Sequence, residues 1–319
     1  MKTEITSTIK DAQFSPTLTN DEIDLHELFS VIWKGKWLII AITAVFAIAS
    51  VSFAILQPNI YKSEALLASA SEEQGGGLSA LASQFGGLAS LAGVNLGAKG
   101  GTDKTQLAIE VLKSRQFTSE FIQRHNILAD LMAAKKWDRD ADKVVYAPEL
   151  YNEQTNTWVR EVKAPFKAEP SMQEAYKEFS KIIAINKDKE SGMVTISIEH
   201  LSPTVAQQWV TWLIQDINKV MKDRDVAEAH RSTEFLNKQI ALTNVADIKT
   251  VLYKLIEEQA KTIMFAEVRD EYVFKTIDPA LASEEKAKPK RALICVLGTM
   301  LGGMLGVMLV LIRHFMRKE

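Results

Sequence analysis

Two stretches of the chain carry no charge. Leu38 to Leu56 runs 19 residues without Asp, Glu, Lys or Arg, and Ala292 to Ile312 runs 21. At about 1.5 Å per residue, each makes a helix of roughly 30 Å, the thickness of a bilayer's hydrocarbon core. A soluble helix that is apolar all round needs a large body to bury it. The 235 residues between the two runs are few for that task. Both runs are therefore read as transmembrane helices. The alternative for the first, a cleaved signal peptide, calls for a short apolar core behind a short basic segment. Here a long polar segment comes first, and eleven of the 19 residues are Leu, Ile, Val or Phe.

The flanks set an orientation. Lys34 and Lys36 stand just before the first run, with Trp33 and Trp37 as interfacial aromatics, and the next cation is Lys62. The positive-inside rule puts the N-terminus in the cytoplasm. The second run is ambiguous alone, with Lys286, Lys288, Lys290 and Arg291 before it and Arg313, Arg317 and Lys318 after. Two spans from a cytoplasmic start bring the C-terminus back inside. The expected layout is a cytoplasmic tail (1–37), a first span (38–56), an extracytoplasmic domain (57–291), a second span (292–312) and a short cytoplasmic tail (313–319).

Between and around the spans the periodicity changes several times. Residues 1–20 are polar. Leu25, Leu28, Phe29, Ile32 and Trp33 then recur at helical spacing, predicting a short amphipathic helix that serves as an interfacial anchor or meets a partner. Pro58 breaks the first span, and Tyr61 to Leu67 alternates like a strand. Nine of the fifteen glycines lie in 75–101, which reads as a flexible loop, or as one that packs on a neighbouring subunit. Thr105 to His125 and Ile127 to Lys136 read as helices, 147–170 as mostly irregular, and Met172 to Ile185 as helical. A hairpin follows, turning at Lys187–Gly192, with Val194, Ile196 and Ile198 on one face of its second strand. Ser202-Pro203 has the form of a helix start. From there a long helical region runs through 203–269, with Trp209, Leu213, Ile217 and Val220 as its first stripe. Its later apolar positions are sparse, so these helices project or pair in an extended hairpin. Thr243-Asn244 marks the tip, one continuous helix being the alternative. Glu271 to Ile277 is a returning strand. The fold class is α+β: two membrane helices flank an α/β base domain with a projecting helical hairpin.

Composition adds mainly exclusions. The formal net charge is −2, which gives no support for nucleic-acid binding. Cys295 is the single cysteine, so neither an intrachain disulfide nor a cysteine metal cluster can form. The histidines His26, His125, His200, His230 and His314 show no metal-ligand spacing, and His200 reads as a turn residue. Lys104-Thr105 follows Asp103 rather than glycine, so no phosphate loop is formed. There is no Gly-x-Ser-x-Gly elbow. No catalytic residue, cofactor or metal site is expected.

The positions that stand out lie at the second span. Gly298, Gly302 and Gly306 recur every four residues, with Gly303 beside them. A small-residue face lets helices approach closely in lipid. The partner is either the first span, whose small face is Thr43, Ala47, Ser50 and Ala54, or another protomer. Just before the span, Pro279 and Pro289 fix an extended approach. Lys286, Lys288, Lys290 and Arg291 form a basic cluster suited to lipid headgroups or to an anionic lipid-linked substrate.

In this order, the chain resembles the Wzz-type chain-length determinants, or polysaccharide co-polymerases. The resemblance rests on Ile23–Leu28 and Trp33-Lys34-Gly35-Lys36-Trp37 before the first span. It rests further on Ser191–Ile198 with Ser202-Pro203, on Ile277-Asp278-Pro279-Ala280, and on Pro289-Lys290-Arg291-Ala292 leading to the glycine-rich span. It implies a bacterial inner-membrane protein with a periplasmic domain, both termini cytoplasmic and no enzymatic activity. It implies a ring-like homo-oligomer that sets the length of O-antigen or a related polysaccharide, built on a lipid carrier by a separate polymerase. The glycine-rich loop 75–101 departs from the pattern, and the helical hairpin is shorter than in some members. The few residues after Ile312 hold no kinase domain, so any kinase would be a separate partner.

Overall fold

The computed structural model describes residues 25–70 and 104–318. The expectations for residues 1–20 and for the loop 75–101 lie outside these. The described residues divide into two compact units. One comprises the described residues up to Leu56 and from Lys290, the other those from Gln57 to Pro289.

The first unit is helical. α1 (Leu25–Lys34) and α2 (Lys36–Leu56) are separated by Gly35, and α9 (Arg291–Lys318) packs along them. α2 and α9 are long and apolar enough to cross a membrane by length and composition. Their 21 and 28 residues give helices of about 32 and 42 Å. Large apolar side chains such as Ile40, Val45, Ile48, Leu297 and Met304 stand exposed along them. Water would penalise that surface, and lipid would not.

The second unit is built on a four-stranded antiparallel sheet. β1 (Tyr61–Ser69) lies between β7 (Val194–His200) and β8 (Phe274–Asp278), and β6 (Ile183–Lys187) forms the other edge. The register aligns rows of core residues: Ile185 opposite Ile196 opposite Ala65, and Val194 opposite Leu67. Thus Val194, Ile196 and Ile198 do share the buried face. The turn before β7 is set by Asp188, whose carboxylate accepts the Glu190 and Ser191 N–H groups. Gly192 then takes φ +69°, a value that side chains rarely adopt.

α7 (Pro203–Leu242) begins as its sequence suggests. Ser202 Oγ accepts the Val205 N–H, and Pro203 occupies the first turn. Its first half lies on the sheet and buries Trp209, Val210, Leu213, Ile217 and Met221. Around it pack α3 (Lys104–Leu112), α4 (Arg115–Arg124), α5 (Leu128–Met132) and α6 (Met172–Ile182), contributing Leu112, Phe121, Ile122 and Phe179 to the same core. Beyond Met221 the burial nearly stops. Only Ala229 is buried in the rest of α7, and only Ala266 in α8 (Ala246–Val268), which packs against α7.

Several expectations change here. The helix over Thr105–His125 breaks at Lys113-Ser114, because Ser114 Oγ caps a new helix by accepting the Phe117 N–H. Ile127–Lys136 is helical only to Met132; Ala134–Asp138 is β2, paired with β3 (Lys143–Tyr146). A second small hairpin, β4 (Tyr151–Asn152) with β5 (Thr157–Trp158), lies in the stretch expected to be irregular. Met172–Ile185 gives up its last residues to β6, where β-branched Ile183 and Ile185 pair with β7. The long helical region is interrupted over 243–245. The residue capping α8 is Val245, which supplies no side-chain hydrogen bond, rather than Asn244.

Candidate functional site: the glycine face and the proline-basic approach

The glycine stripe lies against α2 of the same chain. A Cβ added to Gly302 would lie 2.6 Å from Phe46 Cβ and 3.2 Å from Thr43 Cα. At Gly306 it would lie 3.1 Å from Ile39 Cα, and at Gly298 it would meet the Ser50 side chain. The three glycines run up α9 as Ser50, Phe46 and Ile39 run down α2, so the helices are antiparallel and their backbones close. Of the small face expected on α2, Thr43 and Ser50 meet the stripe, and Ala54 is buried. Their hydroxyls bond back to their own helix, Thr43 to the Ile39 carbonyl at 2.8 Å and Ser50 to the Ala47 carbonyl at 2.9 Å. Both hydroxyls are thus satisfied within their own helix. Gly303 is turned further away, with Thr43 Oγ1 at 3.8 Å as its neighbour. Gly298, Gly302 and Gly306 thus face α2 of the same chain.

Gly35 is the position sequence reasoning passed over. Its added Cβ would fall 2.5 Å from Val310 Cγ1. The break between α1 and α2 is therefore also where the chain presses on the C-terminal half of α9. The signal was present: a glycine between two lysines and two tryptophans, outside the glycine-rich stretch.

The proline-basic approach divides its residues among different tasks. Arg291 Nε donates to the Ala54 carbonyl at 2.9 Å. Ala54 is in the last turn of α2, where carbonyls lack intrahelical partners and a cation is favoured. Arg291 thus caps the end of α2. Lys290 and Lys286 are exposed, Pro289 is buried and Pro279 is exposed. Within the second unit, Lys288 Nζ pairs with Glu199 at 2.6 Å. Ile60 N–H donates to the Lys288 carbonyl at 2.9 Å, and Ala287 N–H donates to the Ile60 carbonyl at 2.8 Å. Ser63 Oγ and Gln207 Nε2 hold the Leu281 and Ala280 carbonyls. The segment leaving the sheet at β8 is thereby fastened along the segment that enters it at β1.

Two carboxylates of the second unit, Asp216 and Asp225, have structural partners. Asp216 accepts from Arg124 at 2.8 Å and contacts His125 at 3.0 Å, the imidazole stacking on Trp212. Asp225 holds Lys104 and the Tyr272 hydroxyl, and burial together with that carboxylate pushes the Tyr272 pKa up. His200, expected in a turn, is the last residue of β7 and buried. Among the described residues no three His, Cys, Asp or Glu side chains gather as a metal site would require.

By class this is an α+β protein with two helices fit to span a membrane. Comparison with known families goes further. Residues 21–125 match the Wzz family, described as chain length determinant protein. Residues 237–315 match GNVR, described as a G-rich domain on putative tyrosine kinase. The similarity to chain length determinants thus covers the first third of the chain. Among solved structures, a full-length bacterial polysaccharide co-polymerase aligns at 14% identity and TM-score 0.38, over 92% of this chain and 99% of that one. A fragment of WzzB, a polysaccharide co-polymerase from Salmonella Typhimurium, aligns at 13% identity and TM-score 0.28, over 72% and 100%. Likeness at that level fixes neither fold details nor function. No curated protein matches the chain significantly.

Proposed function

We propose that this protein is a non-catalytic, homo-oligomeric scaffold of the bacterial inner membrane that regulates the chain length of a surface polysaccharide. The observation that carries the reading is the match of residues 21–125 to the chain length determinant family. The polysaccharide is O-antigen or a similar polymer, made by a separate polymerase on a lipid carrier. Both termini lie in the cytoplasm and the second unit in the periplasm, a layout supported by Lys34 and Lys36 before α2 and by two apolar helices of spanning length. Ring-like assembly is supported by the sparse burial of α8 and the outer half of α7. Phe235, Leu242, Ile248 and Val251 there expose about half or more of their surface, the kind of apolar area that another subunit covers. Exposed Lys286 and Lys290 suit the headgroups of membrane lipids or of the lipid-linked polymer.

Deleting the gene and running the surface polysaccharide on a gel tests this directly. The modal band should be lost; an unchanged ladder refutes the role. A reporter fused after Glu319 should be active only in the cytoplasm.

A second reading is favoured by the GNVR match at residues 237–315. In it, the protein is an accessory subunit of a capsule or exopolysaccharide export system working with a separate kinase. Co-purification with a kinase and an outer-membrane export channel, rather than with a polymerase, would select it.

A further inference from the structure

His200 ends β7 and stands two residues before the cap of α7. The residue is 7% exposed, and its ring packs with Trp209, their centroids 5.1 Å apart. Both nitrogens are engaged. Nδ1 accepts the Ser202 backbone N–H at 3.1 Å, so it bears no proton. Nε2 donates to the Asp130 carbonyl at 3.2 Å. One neutral imidazole therefore ties α5 to the start of α7. We propose that His200 is a pH-sensitive latch: neutral, it holds α5 against the start of α7; protonated, it lets go and turns into an acid-lined pocket beside it.

The reason lies in the donors. A second proton sits on Nδ1 and faces the Ser202 N–H, and two donors at that distance cannot both be satisfied. The imidazolium also lies at the N-terminal end of a 40-residue helix, where positive charge is unfavourable. Burial favours the neutral ring and holds its pKa below the ordinary histidine value, against the opposing pull of Asp130.

A destination adjoins the ring. A pocket of about 170 Å3 is lined by Ile60, Leu131 and Ile182, and by Asp130 of α5, Glu178 of α6 and Glu199 of β7. These carboxylates are otherwise engaged while the ring is neutral: Asp130 accepts from the Tyr146 hydroxyl at 2.7 Å, Glu178 pairs with Lys181 at 2.7 Å, and Glu199 pairs with Lys288 at 2.6 Å. From β1 the residue opposite His200 is Tyr61. No carboxylate is hydrogen-bonded to the ring in its inner position, and three line the space into which it can turn.

Hydrogen exchange on the full chain in detergent micelles, at about pH 7.5 and about pH 5.5 and corrected for intrinsic rates, tests the latch. Wild-type amides of 128–134 and Ser202 should lose protection at the lower pH, approaching tenfold per pH unit below the midpoint, the slope of one proton. Those of β1 and β6 should keep theirs. In His200→Asn the amide oxygen takes over the Nδ1 acceptor position and nothing titrates, so the pH-dependent loss should vanish. Unchanged protection in wild type, or the same loss in His200→Asn, overturns the proposal. If His200→Asn does not fold, Glu178→Gln decides: losing a pocket carboxylate should move the wild-type midpoint to lower pH, and an unmoved midpoint overturns it.

Discussion

Asn218 does more for the second unit than its polarity suggests. It is buried on α7, and its Oδ1 accepts the Val273 and Phe274 N–H groups at 2.8 and 2.9 Å while Nδ2 donates to the Phe274 carbonyl at 3.0 Å. One side chain thus satisfies three backbone groups at the edge of the sheet. Unpaired buried groups cost about 1–3 kcal/mol each, with partial relief by relaxation. Asn218→Leu should therefore destabilise the unit by about 2–4 kcal/mol, measured by urea unfolding. Glu174 is the other informative residue. It completes a capping box with Ser171 and accepts a fork from Arg160 at 2.9 and 3.0 Å. The Arg160 hydrogen bonds, then the Ser171 N–H, lower its pKa to about 2 from an ordinary 4.5. A depressed carboxylate stabilises fully above its unfolded value, so this contribution is intact above about pH 4.5 and is lost as pH falls towards 2. Glu174→Gln should cost about 1–2 kcal/mol at neutral pH and flatten the acid limb of a stability-versus-pH curve. The Ser-x-x-Glu spacing of the box is local and visible in sequence. Arg160, fourteen residues away, and the 55-residue reach of Asn218 are not, because nothing local demands them.

At the scale of elements, the glycine face carries the sharpest test. Gly302→Leu sets a side chain against Phe46 and the α2 backbone, where even a Cβ does not fit. Close approach is what gives such helix pairs their packing energy in lipid. The variant should lower the unfolding temperature in detergent clearly, while Gly303→Leu, whose Cβ would meet only Thr43 Oγ1 at 3.8 Å, should lower it much less. Equal effects would mean the helices pair some other way. The glycine periodicity was plain in the sequence, but its partner was not, since an antiparallel neighbour in the same chain and a second protomer would present the same pattern. The secondary-structure boundaries divide similarly. The Asp188 turn, the Ser202-Pro203 start and the alternation in β7 were legible because each follows from chemistry within a few residues. The break at Ser114 and the strand at Ala134–Asp138 were not: a serine within an apolar-periodic run reads as tolerated, and Ala-Lys-Lys-Trp-Asp becomes a strand only by pairing with β3.

For the whole molecule, assembly is the testable consequence of exposed apolar surface. Purified in mild detergent, the chain should run as a large oligomer, and Leu242→Ser with Val251→Ser on α7 and α8 should shift it towards smaller species without lowering the unfolding temperature of the second unit. A monomeric wild type would contradict the scaffold reading. Two uncharged runs, the positive charge before the first, and the alternation and spacing between them were enough to indicate membrane helices, an α+β class and the family resemblance. These depend on composition within one turn, one strand or one bilayer thickness, and such information is written locally. Only the tertiary structure decided that β1 runs between β7 and β8, that the glycines face Ser50, Phe46 and Ile39, that Arg291 caps α2, and that His200 is buried with both nitrogens engaged. Those are contacts between residues dozens to hundreds of positions apart, selected by mutual fit of packed surfaces and by the need to pair every buried polar group.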